Sequence, residues 1–177
     1  IKTWGQVAGT DNANPIRVFT RSDACGAAET WANYLGGKKQ EDLKGIGVYG
    51  DPGLGEAVRR DPLAIGFNNV NYAYDAKTGK TVAGLEAIPI DVNNNGSVDP
   101  EENCYATQDD LVKAIADGRY PSPPARNLFF VTKGKPSKPQ LQAFIKWVLT
   151  DGQKYVSETG YIQIPQARLD EGLKALE

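Results

Sequence analysis

Arg21, Asp23 and Cys25 alternate along the run Arg21-Ser22-Asp23-Ala24-Cys25-Gly26-Ala27-Ala28, which follows an apolar, β-branched segment and precedes a helical pattern. Backbone N–H groups at the start of a helix have no intrahelical partner and point along the helix dipole, a combination that attracts anions. Small residues at Ala24, Gly26 and Ala27 would let an anion approach the backbone closely. Arg21 can add a two-pronged pair of hydrogen bonds to oxyanion oxygens, and Asp23 can hold the guanidinium in place. The candidate anion-binding residues are therefore Arg21, Asp23, Cys25, Gly26 and Ala27. The same run is also compatible with an ordinary strand-to-helix turn carrying a surface ion pair.

A second group of oxygen-bearing residues runs from Asp91 to Glu102, Asp91-Val92-Asn93-Asn94-Asn95-Gly96-Ser97-Val98-Asp99-Pro100-Glu101-Glu102. It fits the twelve-residue EF-hand loop position by position. The Ca²⁺ ligands would be Asp91, Asn93, Asn95, Asp99, the Ser97 carbonyl and a bidentate Glu102, with Gly96 at the sharp turn. A capped helix follows the loop, but a proline-containing extended segment precedes it where an EF-hand has a helix. The alternative is an Asn-Gly-rich surface loop with solvated carboxylates.

Composition removes most catalytic chemistry. There is no histidine, so Ser-His-Asp and Cys-His catalysis are excluded, as is histidine-ligated zinc, iron or copper. The two cysteines, Cys25 and Cys104, allow one bridge or two free thiols; free thiols are favoured, since a bridge would pin the anion turn to the acidic loop. A formal charge of −2, from 20 basic and 22 acidic residues, leaves no basic footprint for nucleic acid. No apolar run approaches the length of a membrane span. The chain opens on Ile1 and contains no methionine, which points to a processed product or an excised segment. Gly45-Ile46-Gly47-Val48-Tyr49-Gly50 satisfies a dinucleotide-binding pattern by chance within a strand-like run, and Thr78-Gly79-Lys80-Thr81 reads as a hairpin turn.

The elements that must position these residues alternate between strand and helix. Strands are expected at Ile16–Phe19, Ile46–Tyr49, Leu63–Phe67 and Leu128–Val131, with Thr81–Ile90 extended. A helix should begin at the Ala24–Ala27 turn, place Ala28, Trp31, Ala32 and Leu35 on one face, and stop at Gly36-Gly37. Further helices are expected from Asp51-Pro52 to before Pro62, from Thr107 as a capping box, from Ser137 as a cap, over Asp151–Gly160 and over Gln166–Leu176. This alternation predicts an α/β fold with a central mixed sheet flanked by helices. The proline-rich stretch at 121–124 is the expected crossing between two lobes.

On these residues the chain resembles the periplasmic phosphate-binding proteins of ABC transporters. Their pattern Arg-x-Asp-x-Ser-Gly-Thr is matched by Arg21, Asp23 and Gly26, while Cys25 stands where the family has Ser and Ala27 where it has Thr, so two hydroxyl donors are lost. Ala64-Ile65-Gly66-Phe67 with Tyr72-Ala73-Tyr74 resembles the family's Ile-Gly-Tyr segment. Tyr120 to Val131 and Lys138 to Pro165 resemble its closing strand and C-terminal helices, and Ile1 to Gly5 the start of its second lobe. The resemblance implies a periplasmic-binding-protein-like lobe over 1–120 that binds the anion. It implies that 121–177 forms the returning strand and C-terminal helices of the first lobe. It further implies a non-catalytic receptor for inorganic phosphate or a similar oxyanion, serving an ABC transporter membrane permease. The receptor would be periplasmic or extracellular and membrane-associated through a preceding N-terminal segment. Apolar faces left by a missing first lobe favour a homodimer of the fragment. Two other functions remain in view: a calcium-binding extracellular surface or adhesion module, and, last, a thiol-dependent enzyme at Cys25.

Overall fold

A computed structural model describes residues 1–159 and 161–176. Contacts divide the chain into units 1–125 and 126–177.

The first unit is built on three strands. β1 (Arg17–Arg21) lies between β2 (Ile46–Val48) and β3 (Ala64–Ile65), and both pairings are parallel. Parallel neighbours require crossover connections, and helices supply them. α2 (Gly26–Tyr34) leads from β1 to β2, and α3 (Gly50–Arg60) leads from β2 to β3. Short α1 (Trp4–Ala8) precedes the sheet, with a capping box between Thr3 and Gln6. The α/β architecture, a sheet flanked by helices, is the expected one. Its strands are all parallel, and the antiparallel part of the expected mixed sheet is confined, among the described residues, to the isolated bridges Thr3–Pro15 and Tyr74–Thr81.

Packing follows from residue size. Ala28 and Ala32 put a fully buried small-residue stripe on α2, and Leu54 is the fully buried anchor of α3. Trp31 stacks on Phe67 with ring centroids 6.0 Å apart. Gly66 is needed where the chain leaves β3: a Cβ there would lie 2.9 Å from Val58 Cγ2. A second core gathers Tyr74, Cys104, Leu111 and Ala114 beneath short α4 (Val70–Ala73) and α5 (Gln108–Ala116). The Thr107 side chain accepts the Asp110 N–H and caps α5, while Asp110 Oδ2 accepts the Thr107 hydroxyl rather than the backbone N–H that the expected capping box would use. Cys104 is buried in this core and Cys25 lies elsewhere, both as free thiols.

Three local expectations are corrected. From Thr81 to Ile90 only Thr81 is bridged, and the rest follows an irregular path. The helix expected from a Ser137 cap is α6 (Pro139–Leu149), whose N-cap is Lys138 and whose first residue is Pro139. Proline's fixed φ suits the first helical position, so the ring and not a serine hydroxyl sets this start. Leu128–Val131 forms no strand. Phe129 and Val131 are 81% and 91% exposed, and no described strand lies beside them to supply a ladder.

In the second unit α6 is followed by 3₁₀ turns at Asp151–Tyr155 and Ser157–Thr159 in place of the helix expected there; Gly160 lies outside the described residues. Trp147 stacks on Tyr155 at 6.0 Å, and Leu149 of α6 abuts Gly172 of α7 (Gln166–Lys174).

Tyr74 offers a test of the second core. Its hydroxyl donates to the Tyr105 carbonyl at 2.9 Å, and burial pushes its pKa up to about 12 from an ordinary 10.0. The fold therefore favours the neutral phenol. That contribution is intact below pH 10 and is lost as pH rises toward 12. Tyr74→Phe should cost about 1 kcal/mol at neutral pH and should flatten the alkaline fall in stability. Denaturant melts of both proteins across that pH range check it; identical alkaline slopes would contradict it.

Candidate functional site

The carboxyl ends of β1, β2 and β3 lie at one edge of the sheet, and the segments leaving them meet there. In open α/β sheets this edge, where the strand order reverses, is where ligands bind. Arg21 is the last residue of β1, in register with Val48 at the end of β2. Cys25 is the N-cap of α2, Gly50 and Asp51 open α3, and Asn68 and Asn69 follow β3.

Arg21 is the hub. Its side chain is only 7% exposed. Nε donates to Asp23 Oδ1 at 2.9 Å and Nη2 to Asp23 Oδ2 at 2.5 Å, so Asp23 meets the guanidinium as a two-pronged pair. On the other side Nη1 donates to Asp51 Oδ1. The Gly50 N–H donates to Asp23 Oδ1 at 3.0 Å, from a glycine whose φ of 73° permits that turn. The Arg21 bond, and then the Gly50 N–H, hold the Asp23 carboxyl far below its ordinary range; the Asp23 bond raises Arg21.

The helix end is also occupied from within. The Ala28 N–H donates to Cys25 Sγ at 3.3 Å, so the thiol caps α2 where a hydroxyl would otherwise serve. The Cys25 N–H donates to Gln40 Oε1 at 3.0 Å, and Gln40 Nε2 returns a bond to the Asp23 carbonyl at 2.7 Å. Two backbone N–H groups at this helix start, those of Cys25 and Ala28, thus already have protein partners. Beside it lies an open concavity of about 400 Å³ lined by Ala24, Cys25, Gly26, Glu29, Gln40 and Glu41. The expected residues Arg21, Asp23, Cys25, Gly26 and Ala27 therefore fall in one turn, but Arg21 is engaged on two sides.

Gln40, Asp51, Asn68 and Asn69 were not identified from sequence. Asn69 Nδ2 donates to Asp51 Oδ2 at 2.9 Å, and Asn68 Nδ2 to the Asp51 carbonyl at 2.8 Å. For Asp51, Asn68 and Asn69 the available signal was topological: each follows, or begins the helix after, one of three apolar runs that become parallel neighbours; Gln40 lies in a 3₁₀ turn (Gln40–Asp42) between α2 and β2 and had no such signal.

The acidic loop folds around its own backbone. Asp91 accepts the Asn95 and Gly96 N–H groups at 3.2 and 2.8 Å. Asn95 Oδ1 accepts the Ser97 N–H at 2.8 Å. Glu102, 8% exposed, accepts Val92, Asn93 and Asp99 N–H groups. Asn93 and Asn95 side-chain amides donate to Asp99 Oδ2 at 2.7 and 2.8 Å. Among the described residues no three acidic or thiol side chains converge on one point. A Ca²⁺ ion would have to draw the carboxylates together and displace these amides.

A family model described as a PBP superfamily domain matches residues 1–152. The chain belongs to the PBP superfamily. It is similar to the phosphate-binding protein PstS of Methanocaldococcus jannaschii, 26% identical over 91% of this chain and 51% of that protein. A solved structure of a possible phosphate binding protein from Planctomyces limnophilus aligns with a TM-score of 0.47 and 17% identity, over 99% of this chain and 58% of that one. The chain spans about half the length of the curated relative it matches.

Two measurements test these local structures. Asp23 has a depressed folded pKa, so its contribution is complete above its ordinary 3.8 and is lost as pH falls below that value. The stability gap between the parent and Asp23→Asn should therefore stay constant at mildly acid pH and close only in stronger acid; a gap already closing above pH 3.8 would contradict the pairing. In the acidic loop, Ca²⁺ at millimolar concentration should raise the unfolding temperature of the parent and not of Glu102→Gln if the loop takes the ion. Unchanged melting of the parent would leave it a self-capped turn.

Proposed function

We propose that this chain forms about half of a solute-binding protein that holds inorganic phosphate, or a closely similar oxyanion, without catalysis. The protein would deliver the anion to the membrane permease of an ABC importer from the periplasmic or extracellular side. The observation that carries this reading is the nearly buried Arg21, braced by Asp23, at the carboxyl end of the central strand and immediately before the start of α2. A guanidinium held in this way offers its remaining N–H groups in a fixed direction, and a helix N-terminus adds favourable dipole. Membership of the PBP superfamily supports a binding role, and the name of the archaeal relative supports phosphate as the solute.

In this reading 1–120 is the anion-binding lobe and 121–177 returns to a first lobe that supplies the opposing contacts. The division of the chain near residue 125 supports that arrangement. No helix among the described residues is long and apolar enough to cross a membrane.

The test uses the full-length protein, titrated with phosphate by calorimetry at fixed salt. Arg21→Ala should cost roughly 2–5 kcal/mol of binding, because it removes a desolvated charged partner of the anion. Arg21→Lys should recover only part, since an ammonium cannot form the planar fork. Cys25→Ser with Ala27→Thr should tighten phosphate, each restored hydroxyl adding about 1 kcal/mol. Phosphate bound equally well by the parent and Arg21→Ala would place the anion elsewhere.

A further inference from the structure

We propose that Asp51 is a second positioning residue for Arg21, and that Asn69 in turn fixes Asp51. This inference rests on the phosphate-site reading above and adds residues to it. The Asp23 pair by itself fixes one edge of the guanidinium, through Nε and Nη2. Rotation of the whole side chain about its own bonds could carry the Asp23 carboxylate along with it, since Asp23 lies only two residues away on the same turn. The bond from Nη1 to Asp51 Oδ1 comes from a different element, the first turn of α3, and closes the second edge. With carboxylates on both edges, the guanidinium plane has one orientation.

Asp51 is itself held. Its second oxygen, Oδ2, accepts Asn69 Nδ2 at 2.9 Å, and its carbonyl accepts Asn68 Nδ2 at 2.8 Å. Its side chain is 22% exposed. The chain of contacts runs Asn69 to Asp51 to Arg21 and links the segments leaving all three strands. A guanidinium has five N–H donors; Asp23 and Asp51 engage three of them. The others are left for oxyanion oxygens, in a direction set by the two carboxylates. One cation facing two carboxylates also has a cost, since the extra negative charge opposes an anion. Positioning and repulsion predict opposite signs for removal of Asp51, so experiment separates them.

The experiment measures phosphate affinity of the full-length parent, Asp51→Ala, Asp51→Asn and Asn69→Ala at fixed salt. It also follows Arg21 by ¹⁵N NMR of the guanidinium. Positioning predicts that Asp51→Ala weakens phosphate by about tenfold, the size of coupling typical within one hydrogen-bonded network. Asp51→Asn keeps an acceptor and should recover part of the loss; Asn69→Ala should give a smaller loss. In the NMR spectrum the Arg21 Nη signals should be resolved in the parent, averaged in Asp51→Ala, and partly resolved in Asp51→Asn. Phosphate bound as well or better by Asp51→Ala, with Arg21 signals unchanged, would overturn the proposal. A parent that binds no phosphate while its Arg21 signals still respond to Asp51 would defeat the phosphate reading and leave the positioning intact.

Discussion

A guanidinium removed from water must be met on every side it loses, and Arg21 is 7% exposed. Its position explains much of the arrangement around it. β1 is the central strand, so its last side chain emerges between the exits of both neighbours. Asp23 arrives from its own turn, Asp51 from the start of α3, and Asn69 reaches Asp51 from beyond β3. Removing one carboxylate would leave a partly buried charge short of a partner, which is why such networks tend to hold loops as a unit. The segments leaving all three strands are tied through one cation.

The parallel order of the strands makes this convergence possible. Antiparallel neighbours would send alternate strand ends to opposite edges, and the segments carrying Asp51 and Asn69 could not both reach Arg21. Parallel pairing needs crossover helices, and their close approach to the sheet explains the small residues found there. α3 packs on the sheet, and Gly66 makes room for its Val58 and Leu54. The requirements of packing and of the site thus fall on the same segments.

The first unit was legible because each signal was local. The strand read at Ile16–Phe19 (Arg17–Arg21 in the fold), the helix through Ala28, Trp31 and Ala32, and the Thr107 cap all depend on residues close in sequence. Asp23 was found for the same reason, since it sits two residues from the side chain it binds. Asp51 and Asn69 act across 30 and 18 residues in sequence, and only strand order brings them together. Leu128–Val131 failed as a strand by the same logic reversed. Its apolar, β-branched composition suits a pleated surface, but a strand exists only beside another, and none of the described strands is its neighbour. Ser137 was the preferred capping residue by composition, yet Pro139 determined the helix start through its fixed backbone angle.

The departures from the phosphate-binding pattern bear on what kind of site this turn is. Where that pattern has Ser, Cys25 caps α2 through sulfur, at 3.3 Å from the Ala28 N–H. Sulfur is a weak acceptor and a thiol a weak donor, so both the helix cap and any ligand bond are diminished. Gln40 offsets part of this loss by accepting the Cys25 N–H and donating to the Asp23 carbonyl, which braces the turn from outside the motif. It does so by occupying a backbone N–H that an anion could have used. Glu29 and Glu41 line the concavity beside it and set negative charge near the helix end. As the phosphate site proposed above, this turn would concentrate its attraction for the oxyanion in Arg21, and anything that misdirects the guanidinium would be felt more strongly than where several hydroxyl donors share the load.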